Sequence, residues 1–326
     1  MSVGAKITGI GSFAPEKKLT NEDLERMVDT SDEWIQQRTG IKERRITTAD
    51  ESTSDLAYNA SMSAIKMAGI DAEDIDAIIV GTATPDYPFP STACVLQDKL
   101  KNKKAFAFDL NAGCTGFIYA LSVADSFIKT GKCETVLVAG AEIISKILNW
   151  KDRTSCVLFG DGAGVVILQK DDFDSIKSIG LRSDGNYVDL LYMPAGGSKF
   201  PASPETVDRN MHTVHLKGKE VFKIAVNSLS SLAEELLDKS GLTVDTIDLF
   251  IPHQANKRII DAVAQKLSIP DEKVYVNIHK YGNTSSASIP IAFDEAYQKG
   301  LIKKGSKILM TAFGAGLTWG GAVVEL

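Results

Sequence analysis

An α/β fold is the architecture that this sequence predicts, and two features of the chain point to it. Short strand-like runs at positions 77–80, 135–138, 248–251 and 307–310 alternate with longer helical stretches along the whole chain. Such alternation is typical of strands that are joined by helices. The pattern of the first half also recurs in the second half, which indicates that one unit has been duplicated.

Three matches in the same order define this repeat. They pair Gly69 and its following strand-like run with Gly241 and its run, Cys114 with Asn283, and positions 135–140 with 307–312. We therefore predict two halves, residues 1–170 and 171–326, and an irregular inserted stretch from 184 to 216. If the halves pack about a pseudo-two-fold axis, Cys114 and Asn283 face one site.

The composition is that of an ordinary globular protein and excludes several classes of function. The chain has 326 residues, of which 44% are hydrophobic, and a net charge of −6 that argues against a general nucleic-acid binder. Its first residues lack the pattern of a signal peptide, and no apolar run approaches the roughly 20 residues of a membrane-spanning helix, so we expect a cytoplasmic protein. The four cysteines show neither metal-site spacing nor disulfide density, so we expect free thiols and no metal.

Cys114 is the candidate nucleophile. It follows a strand-like run and precedes an amphipathic helix, which places it on a tight turn between Gly113 and Gly116 at a helix N-terminus. The positive end of the helix dipole there favours the thiolate, which is the nucleophilic form. The alternative interpretation is a small buried apolar residue, and that interpretation is favoured for Cys94, Cys133 and Cys156.

His253 and Asn283 are candidate polar partners of this nucleophile. His253 ends a strand-like run, and ligands of α/β sheets gather at the carboxyl ends of strands. Asn283 precedes a helix, where an asparagine is also a common turn or capping residue. A histidine satisfied within the core is the alternative at position 253. The correspondence of Asn283 with Cys114 in the repeat favours a shared site.

Two glycine-rich segments invite other interpretations. The segment 160–164 leads into a strand-like run, whereas a dinucleotide-binding fingerprint leads into a helix, so nucleotide binding is not indicated. The segment 313–321 lies between two strand-like runs and predicts a tight hairpin. Its small residues also allow a backbone N–H to approach a ligand and to help hold an oxyanion.

Taken together, these motifs closely resemble those of β-ketoacyl-acyl-carrier-protein synthase III, a family of the thiolase superfamily. The resemblance runs from end to end and is carried by Cys114 and by positions 30–35, 38–41, 161–164, 253–256, 282–285 and 314–320. It implies a thiolase-like fold of two βαβαβαββ halves in a five-layered α-β-α-β-α sandwich, and a homodimer. It also implies that Cys114 takes an acyl group from acyl-CoA and that malonyl-acyl carrier protein then condenses with it as carbon dioxide leaves, with no separate cofactor.

The resemblance also implies roles for individual residues. His253 and Asn283 would donate hydrogen bonds to the malonyl thioester oxygen, and the backbone N–H groups of Cys114 and Ala315 would form a second oxyanion hole. Many family members have glycine at the latter position. The implied CoA site comprises Thr30, Trp34, Arg38, Arg153 and Asn256, with Trp34 and Arg153 stacking about the adenine. The implied acyl pocket comprises Phe89, Leu191 and Phe313, with Phe89 supplied across the dimer interface.

A basic surface is predicted on the helix after His253. Arg258 and Lys266 share one face of this helix, and with Lys257 and Lys223 they form a candidate docking patch for the acidic carrier protein. An ordinary solvated helix face is the alternative interpretation.

Other functions were weighed against this one. A degradative thiolase uses a second cysteine near the C-terminus, but no cysteine follows Cys156. Hydroxymethylglutaryl-CoA synthase uses a glutamate base and does not fit the segment 282–285, whereas polyketide synthases of the chalcone type share the asparagine but use only CoA-bound substrates. A non-catalytic binding module would not be acylated. The sequence does not distinguish acetyl, propionyl and branched acyl groups as the primer. These groups differ by only a few methylenes, each of which contributes about 0.8 kcal/mol to binding when it is buried.

Overall fold

The computed structural model describes residues 3–326 and shows a chain of alternating strands and helices. The strands are β1 (Gly4–Phe13), β2 (Lys18–Thr20), β3 (Glu43–Arg45), β4 (Ala77–Gly81), β5 (Phe106–Leu110), β6 (Thr135–Ile143), β7 (Asp161–Asp171), β8 (Ile176–Ser183), β9 (Leu191–Tyr192), β10 (His215–Leu216), β11 (Leu249–Pro252), β12 (Lys307–Gly314) and β13 (Thr318–Glu325). The helices are α1 (Asn21–Glu25), α2 (Asp32–Thr39), α3 (Thr53–Ala68), α4 (Thr92–Lys99), α5 (Gly116–Lys129), α6 (Pro204–Asp208), α7 (Gly218–Ser240), α8 (Lys257–Leu267), α9 (Ile278–Tyr281) and α10 (Ser288–Gln298).

Two sheets with the same strand order form the frame of the molecule. The first has the order β1-β7-β6-β4-β5, and the second has the order β8-β13-β12-β11. Beyond β11, Val274 forms a parallel bridge with Phe250, in the place that β5 has in the first sheet. In the first sheet β6 pairs in parallel with β4 and antiparallel with β7. In the second sheet β12 pairs in parallel with β11 and antiparallel with β13. The division into halves at residue 170 itself stays a prediction, although the chain passes between the sheets close to it.

The layers follow from which faces the helices cover. Helices α3 and α4 pack on the outer face of the first sheet, and α7 and α8 pack on the outer face of the second sheet. Helices α5 and α10 lie between the sheets and contact strands of both. The predicted five-layered α-β-α-β-α arrangement is therefore confirmed. Strands covered on both faces must be apolar along their whole length, which explains why every residue of β6 is buried.

Glycines end the corresponding outer helices in the two halves. Helix α3 ends at Gly69 with φ of 67°, and α7 ends at Gly241 with the same φ. This left-handed backbone favours glycine because a Cβ would clash with the carbonyl group there. The sequence repeat therefore reflects a shared way of ending a helix before a buried strand.

The inserted stretch from 184 to 216 is more structured than we predicted. It contains α6 and the two-stranded pair of β9 with β10, in which Leu191 lies opposite Leu216. Cys94 also differs from expectation, because its side chain on α4 is exposed and not buried. Within residues 3–326, no helix combines the length and the apolar composition that crossing a bilayer requires.

Candidate active site

A cleft of about 540 Å³ connects the protein surface with the three candidate catalytic residues. Trp34 and Arg38 of α2 lie near its mouth, whereas Cys114, His253 and Asn283 line its inner end. Residues of α7 and α8 form one wall. The two halves of the chain thus contribute to one site, as the sequence repeat predicted.

Cys114 lies on the turn before α5 and is 9% exposed. Gly113 has φ of 54°, and a Cβ on it would lie 2.8 Å from the backbone nitrogen of Ala315. A Cβ on Gly314 would lie only 2.6 Å from the backbone nitrogen of Cys114. Two glycines are therefore needed for the end of β12 to pack directly against the nucleophile turn.

Burial raises the pKa of the Cys114 thiol to about 12, and the nearby Glu142 carboxylate adds to this shift. Ser285, whose Oγ lies 3.4 Å from Sγ, acts in the opposite direction, because its hydroxyl can donate to the sulfur once the thiolate forms. The sequence analysis considered only the helix N-terminus, which favours the thiolate. Desolvation outweighs it, so the resting nucleophile is a thiol at neutral pH.

His253 follows β11, and its backbone N–H donates to the carbonyl of Thr311 at 2.8 Å. Its Nδ1 lies 2.5 Å from Ser288 Oγ, which also accepts the N–H of Gln254. Among residues 3–326, Nδ1 is the acceptor available to the Ser288 hydroxyl hydrogen. We therefore assign the ring proton to Nε2, which is buried, lacks a hydrogen-bond partner in the described residues and lies at the cleft.

His253 is uncharged in the folded protein. Burial lowers the pKa of its imidazole to about 3, because a charged ring would lose its hydration. A neutral ring with hydrogen on Nε2 is a donor that stays available over the whole physiological range of pH. Such a donor can stabilise negative charge that develops in the cleft.

Hydrogen bonds hold both the backbone and the side chain of Asn283. Its backbone N–H donates to the carbonyl of Leu158 at 2.8 Å, and its carbonyl accepts the N–H of Gly160 at 3.0 Å. Its side-chain Oδ1 accepts the N–H of Ser285 at 2.9 Å. With the oxygen occupied in this way, the amide NH₂ group is the part of Asn283 that is free to donate into the cleft.

The backbone nitrogen of Ala315 lies against Gly113 of the nucleophile turn, and that of Cys114 lies against Gly314 at the end of β12. Within residues 3–326 neither donates a backbone hydrogen bond to the protein. Unpaired donors beside a nucleophile are the geometry of an oxyanion hole. Alanine at position 315 has a backbone N–H that can serve in this way.

Glu142, Ser285 and Ser288 are site residues that the sequence analysis missed. Glu142 lies near the end of β6, is fully buried, and accepts hydrogen bonds from Thr84 Oγ1 at 2.6 Å and from Ser286 Oγ at 2.9 Å. One acidic residue in a strand of otherwise apolar, glycine and threonine residues was a usable signal for it. No such local signal marks the two serines, because their partners are distant in the sequence.

Three of the five predicted CoA residues line the cleft, and Arg153 packs on one of them, Trp34. Trp34, Arg38 and Asn256 line the cleft, and Asn256 Nδ2 donates to the carbonyl of Arg38 at 3.1 Å. The Arg153 guanidinium lies 5.2 Å from the Trp34 ring centre, whereas a ring between them requires roughly 7 Å, twice a stacking contact. Arg153 must therefore move for an adenine to enter. Thr30 contributes a buried hydroxyl without a partner within residues 3–326.

Comparison with known proteins identifies the family. Residues 108–185 match the family model described as 3-oxoacyl-acyl-carrier-protein synthase III, and residues 237–326 match the model of its C-terminal part. A β-ketoacyl-acyl-carrier-protein synthase III of Caldanaerobacter subterraneus subsp. tengcongensis is 56% identical over 324 residues, which covers 99% of this chain and 98% of that protein. The chain belongs to the β-ketoacyl-acyl-carrier-protein synthase III family.

Other synthase III proteins agree with this assignment in sequence and in structure. The one of Clostridioides difficile is 49% identical and covers 100% of this chain and 99% of its own length. The crystal structure of 3-oxoacyl-acyl-carrier-protein synthase III from Aquifex aeolicus superimposes with a TM-score of 0.92 at 49% identity, and the match covers 99% of this chain and all of that one. The resemblance stated from the motifs is thereby confirmed, and with it the thiolase-like fold of a synthase III.

The residues predicted for the acyl pocket of a synthase III divide into two groups. Leu191 and Phe313 line the cleft together with Cys114, and Phe159, which the sequence analysis missed, lies beside them. Phe89 does not line the cleft of its own chain, and its side chain is 86% exposed in a proline-rich loop. An apolar side chain this exposed is consistent with burial by a second copy of the chain.

The predicted docking patch is only partly assembled. Lys266 Nζ donates to Asn227 of α7 at 2.8 Å and Arg258 lies over the Phe222 ring of α7, so both face the side where Lys223 is exposed. Lys257 points away from that side, and its place in the patch stays a prediction. Its side chain lies against Gly40 and forms an ion pair of 2.7 Å with Asp261, about 100° around α8 from Arg258.

Proposed function

We propose that this chain starts fatty acid synthesis by joining an acyl group from a CoA thioester to a malonyl unit on acyl carrier protein. The products are 3-oxoacyl-acyl carrier protein, CoA and carbon dioxide. The observation that carries the proposal is the meeting of Cys114, His253 and Asn283 at the inner end of one cleft. Membership in the synthase III family gives this arrangement its reaction class.

In the first half-reaction, the acyl group moves from CoA to Cys114. The sulfur attacks the thioester carbonyl, and the backbone N–H groups of Cys114 and Ala315 stabilise the oxyanion of the tetrahedral intermediate. Trp34, Arg38 and Asn256 near the mouth of the cleft hold the CoA portion. The extended arm of CoA that carries the thioester fills the cleft between its mouth and the Cys114 sulfur.

In the second half-reaction, malonyl-acyl carrier protein loses carbon dioxide and the resulting carbanion attacks the acyl group on Cys114. His253 Nε2–H and the Asn283 amide donate to the thioester oxygen, where the negative charge of the enolate develops. Because burial lowers the pKa of His253 to about 3, this hydrogen bond comes from a neutral ring at neutral pH. Loss of carbon dioxide drives the step, so the proposed chemistry needs no metal and no separate cofactor.

The proposed enzyme is a homodimer that acts in the cytoplasm on water-soluble thioesters. Support for the dimer comes from Phe89, whose exposed ring would close the acyl pocket of a second copy. Lys223, Arg258 and Lys266 form the proposed landing surface for the carrier protein, since Lys266 and Arg258 of α8 both contact α7, which carries Lys223. Such a surface acts mainly on the rate of encounter.

A condensation assay tests this function. Purified protein is mixed with acetyl-CoA and malonyl-acyl carrier protein, and 3-oxoacyl-acyl carrier protein is measured by mass spectrometry. We expect product with the wild type, and about 10²–10³-fold less with Asn283→Ala, which removes one donor to the enolate. Because Asn283 donates to the enolate only after acyl transfer, the variant should still gain the acyl group on Cys114. The final extent of acylation is measured, since the variant also loses the contact of Oδ1 with the Ser285 N–H. If the acylated wild type releases only free acid and never condenses with malonyl, the proposal is wrong.

A further inference from the structure

The Cys114 thiol has to lose its proton before it can attack, and the structure supplies one route for it. Among residues 3–326, the side-chain hydrogen-bond partner of Sγ is Ser285 Oγ at 3.4 Å. The same Ser285 oxygen lies 3.0 Å from Glu142 Oε1. Thiol, hydroxyl and carboxylate therefore form a continuous chain of hydrogen-bonded atoms.

Ser285 is held in the middle of this chain. Its backbone has φ of 52°, an uncommon conformation for a residue other than glycine, and its N–H is fixed to Asn283 Oδ1 at 2.9 Å. A hydroxyl has one hydrogen and can accept another. It can therefore take a proton from Sγ while it passes its own hydrogen to Glu142.

Glu142 is suited to hold a proton. It is fully buried, and its hydrogen-bond donors are all uncharged: the hydroxyls of Thr82, Thr84, Ser285 and Ser286 and the backbone N–H of Ala83. Within residues 3–326 no lysine, arginine or histidine forms an ion pair with it. Burial raises the pKa of this carboxyl, against the effect of its hydrogen bonds.

Cys114 is the titratable group that faces Glu142. The segments packed around the carboxylate, from 82 to 84 and from 285 to 286, bring only neutral groups to it. Asp161 of β7 lies opposite Ile143, so it belongs to the other face of the sheet, where Thr47 and Ser145 bind it. The proton on Glu142 can therefore exchange with the nucleophile without competition from a neighbouring charge.

His253 does not fill this role. Its Nδ1 is occupied by Ser288, and its Nε2 carries the hydrogen that the enolate needs. An imidazole with a pKa of about 3 is a poor proton acceptor.

We propose that Glu142, acting through Ser285, receives the proton of Cys114 when the acyl group arrives and returns it when the acyl group leaves. This inference rests on the function proposed above and extends it to the proton of the nucleophile. Ser285 touches the reacting sulfur and is a catalytic residue in this scheme, whereas Glu142 acts through it.

The proton and charge balance closes over one turnover. During acyl transfer the Sγ–H proton goes to Ser285 Oγ, the Ser285 hydrogen goes to Glu142 Oε1, the S–C bond forms, and CoA leaves as a thiolate that takes a proton from solvent. During condensation the carbanion forms the C–C bond and Cys114 leaves as a thiolate. Glu142 then returns its proton through Ser285. One solvent proton is consumed overall, which matches the loss of the malonyl carboxylate as carbon dioxide.

Single-turnover acylation as a function of pH tests the relay. Acetyl-CoA is mixed with wild type, Glu142→Gln, Glu142→Asp or Ser285→Ala, and the acylated fraction is followed by intact mass between pH 5 and 9. The wild-type rate should rise with pH as Glu142 ionises and then level off. Glu142→Gln and Ser285→Ala should be about 10²–10⁴-fold slower at neutral pH, and their rates should keep rising with pH because only solvent takes the proton. Glu142→Asp should recover part of the rate and the levelling.

The possible outcomes distinguish a failure of the proton relay from a failure of the proposed function. Wild-type rates and pH profiles in both Glu142→Gln and Ser285→Ala would overturn the relay and leave the proposed function intact. An aspartate variant as slow as the glutamine variant would also overturn it, since Glu142 would then only support the loop. If Glu142→Gln does not fold, Ser285→Ala decides alone. A wild type that is never acylated would remove the proposed function itself.

Discussion

Ser288 determines which nitrogen of His253 carries the ring proton. Its hydroxyl lies 2.5 Å from Nδ1 and leaves Nε2–H to face the cleft. At the scale of single residues, the proposed chemistry depends on two protonation states and one orientation. The protonation states are a thiol at Cys114 and a neutral imidazole at His253, and the orientation is that of the Asn283 amide, which is held by its oxygen. None of these states follows from residue identity alone.

Ser288→Ala should therefore slow condensation about twofold and leave acylation of Cys114 unchanged. Without the hydroxyl, the two neutral tautomers of His253 are no longer separated by a hydrogen bond of about 1 kcal/mol, and equal populations would leave about half of the protein with hydrogen on Nε2. The two half-reactions are measured separately, by intact mass and by product formation. The control is Ser230→Ala, which removes an equally buried hydroxyl that bonds within α7. Equal condensation rates in both variants would contradict the tautomer assignment.

Burial of neutral His253 should also make the fold less stable in weak acid. Its pKa is about 3 in the folded protein and 6.5 when free, so the unfolded chain binds more protons between these values. The contribution of neutral His253 to the free energy of unfolding is therefore fully present above about pH 6.5. It falls as the pH decreases below that value, by up to about 1.4 kcal/mol per pH unit. Glu295, whose pKa is lowered to about 2, adds a similar loss only below its free value of 4.5.

Chemical denaturation between pH 4.5 and 7 measures this effect. The free energy of unfolding of wild type relative to His253→Gln should fall as pH falls through this window. Parallel pH profiles of the two proteins would contradict it, because other titrating groups are common to both.

At the scale of elements, glycines let the middle layer lie directly on the first sheet. A Cβ on Gly140 of β6 would lie 2.3 Å from the carbonyl oxygen of Ser286, and one on Gly81 of β4 would lie 2.5 Å from the carbonyl carbon of Gly116. The start of α5 and the segment before α10 can approach these strands only because both positions lack a side chain. This approach brings Ser285 within reach of both Cys114 and Glu142.

Gly140→Ala should lower the free energy of unfolding by about 1–3 kcal/mol, as expected for overpacking against backbone. It should also slow acylation, because the segment with Ser285 has to move away from the sheet. Thermal unfolding and intact-mass kinetics report the two effects. The control is Gly197→Ala, where nothing lies within 4 Å of an added Cβ, and its stability should stay within about 0.5 kcal/mol of wild type. An unaffected Gly140→Ala would show that the layers are not in tight contact there.

Sequence patterns predicted the elements better than they predicted the orientation of side chains. The repeat anticipated the matched glycine ends of α3 and α7 and the meeting of Cys114 with Asn283, because periodicity and turn chemistry are local properties. The direction of Lys257 was not anticipated, because its neighbour Arg258 points about 100° away around the same helix. The pairing of Ser288 with His253 and the raised pKa of Cys114 depend on packing between distant segments.

At the scale of the whole molecule, the loop before α4 exposes apolar side chains that no other part of the same chain, within residues 3–326, covers. Phe89 is 86% exposed and Tyr87 is 56% exposed, and both precede the start of α4. Burying one such ring contributes about 1.5–3 kcal/mol. The proposed homodimer would bury this loop and at the same time close the acyl pocket.

Phe89→Asp should weaken the dimer by a factor of ten or more and reduce the discrimination between acetyl and longer acyl groups. Sedimentation over a range of concentrations measures the first effect, and competing acyl-CoA substrates measure the second. Leu301→Asp is the control, since it places a charge on another exposed apolar residue, after α10. If Phe89→Asp sediments and selects substrates as wild type does, Phe89 does not reach a partner's pocket.

Formation of an acyl-enzyme on Cys114 is the most direct test of the account as a whole. The protein is incubated with acetyl-CoA and, separately, with isobutyryl-CoA, and its intact mass is recorded for wild type, Cys114→Ala and Cys94→Ser. We expect a gain of one acyl group in the wild type and in Cys94→Ser, whose exposed thiol is outside the cleft, and no gain in Cys114→Ala. The thioester that acylates the larger fraction of the protein is the preferred primer. A wild type that gains no mass from either thioester, or a Cys114→Ala variant that gains as much as wild type, would contradict the proposed mechanism.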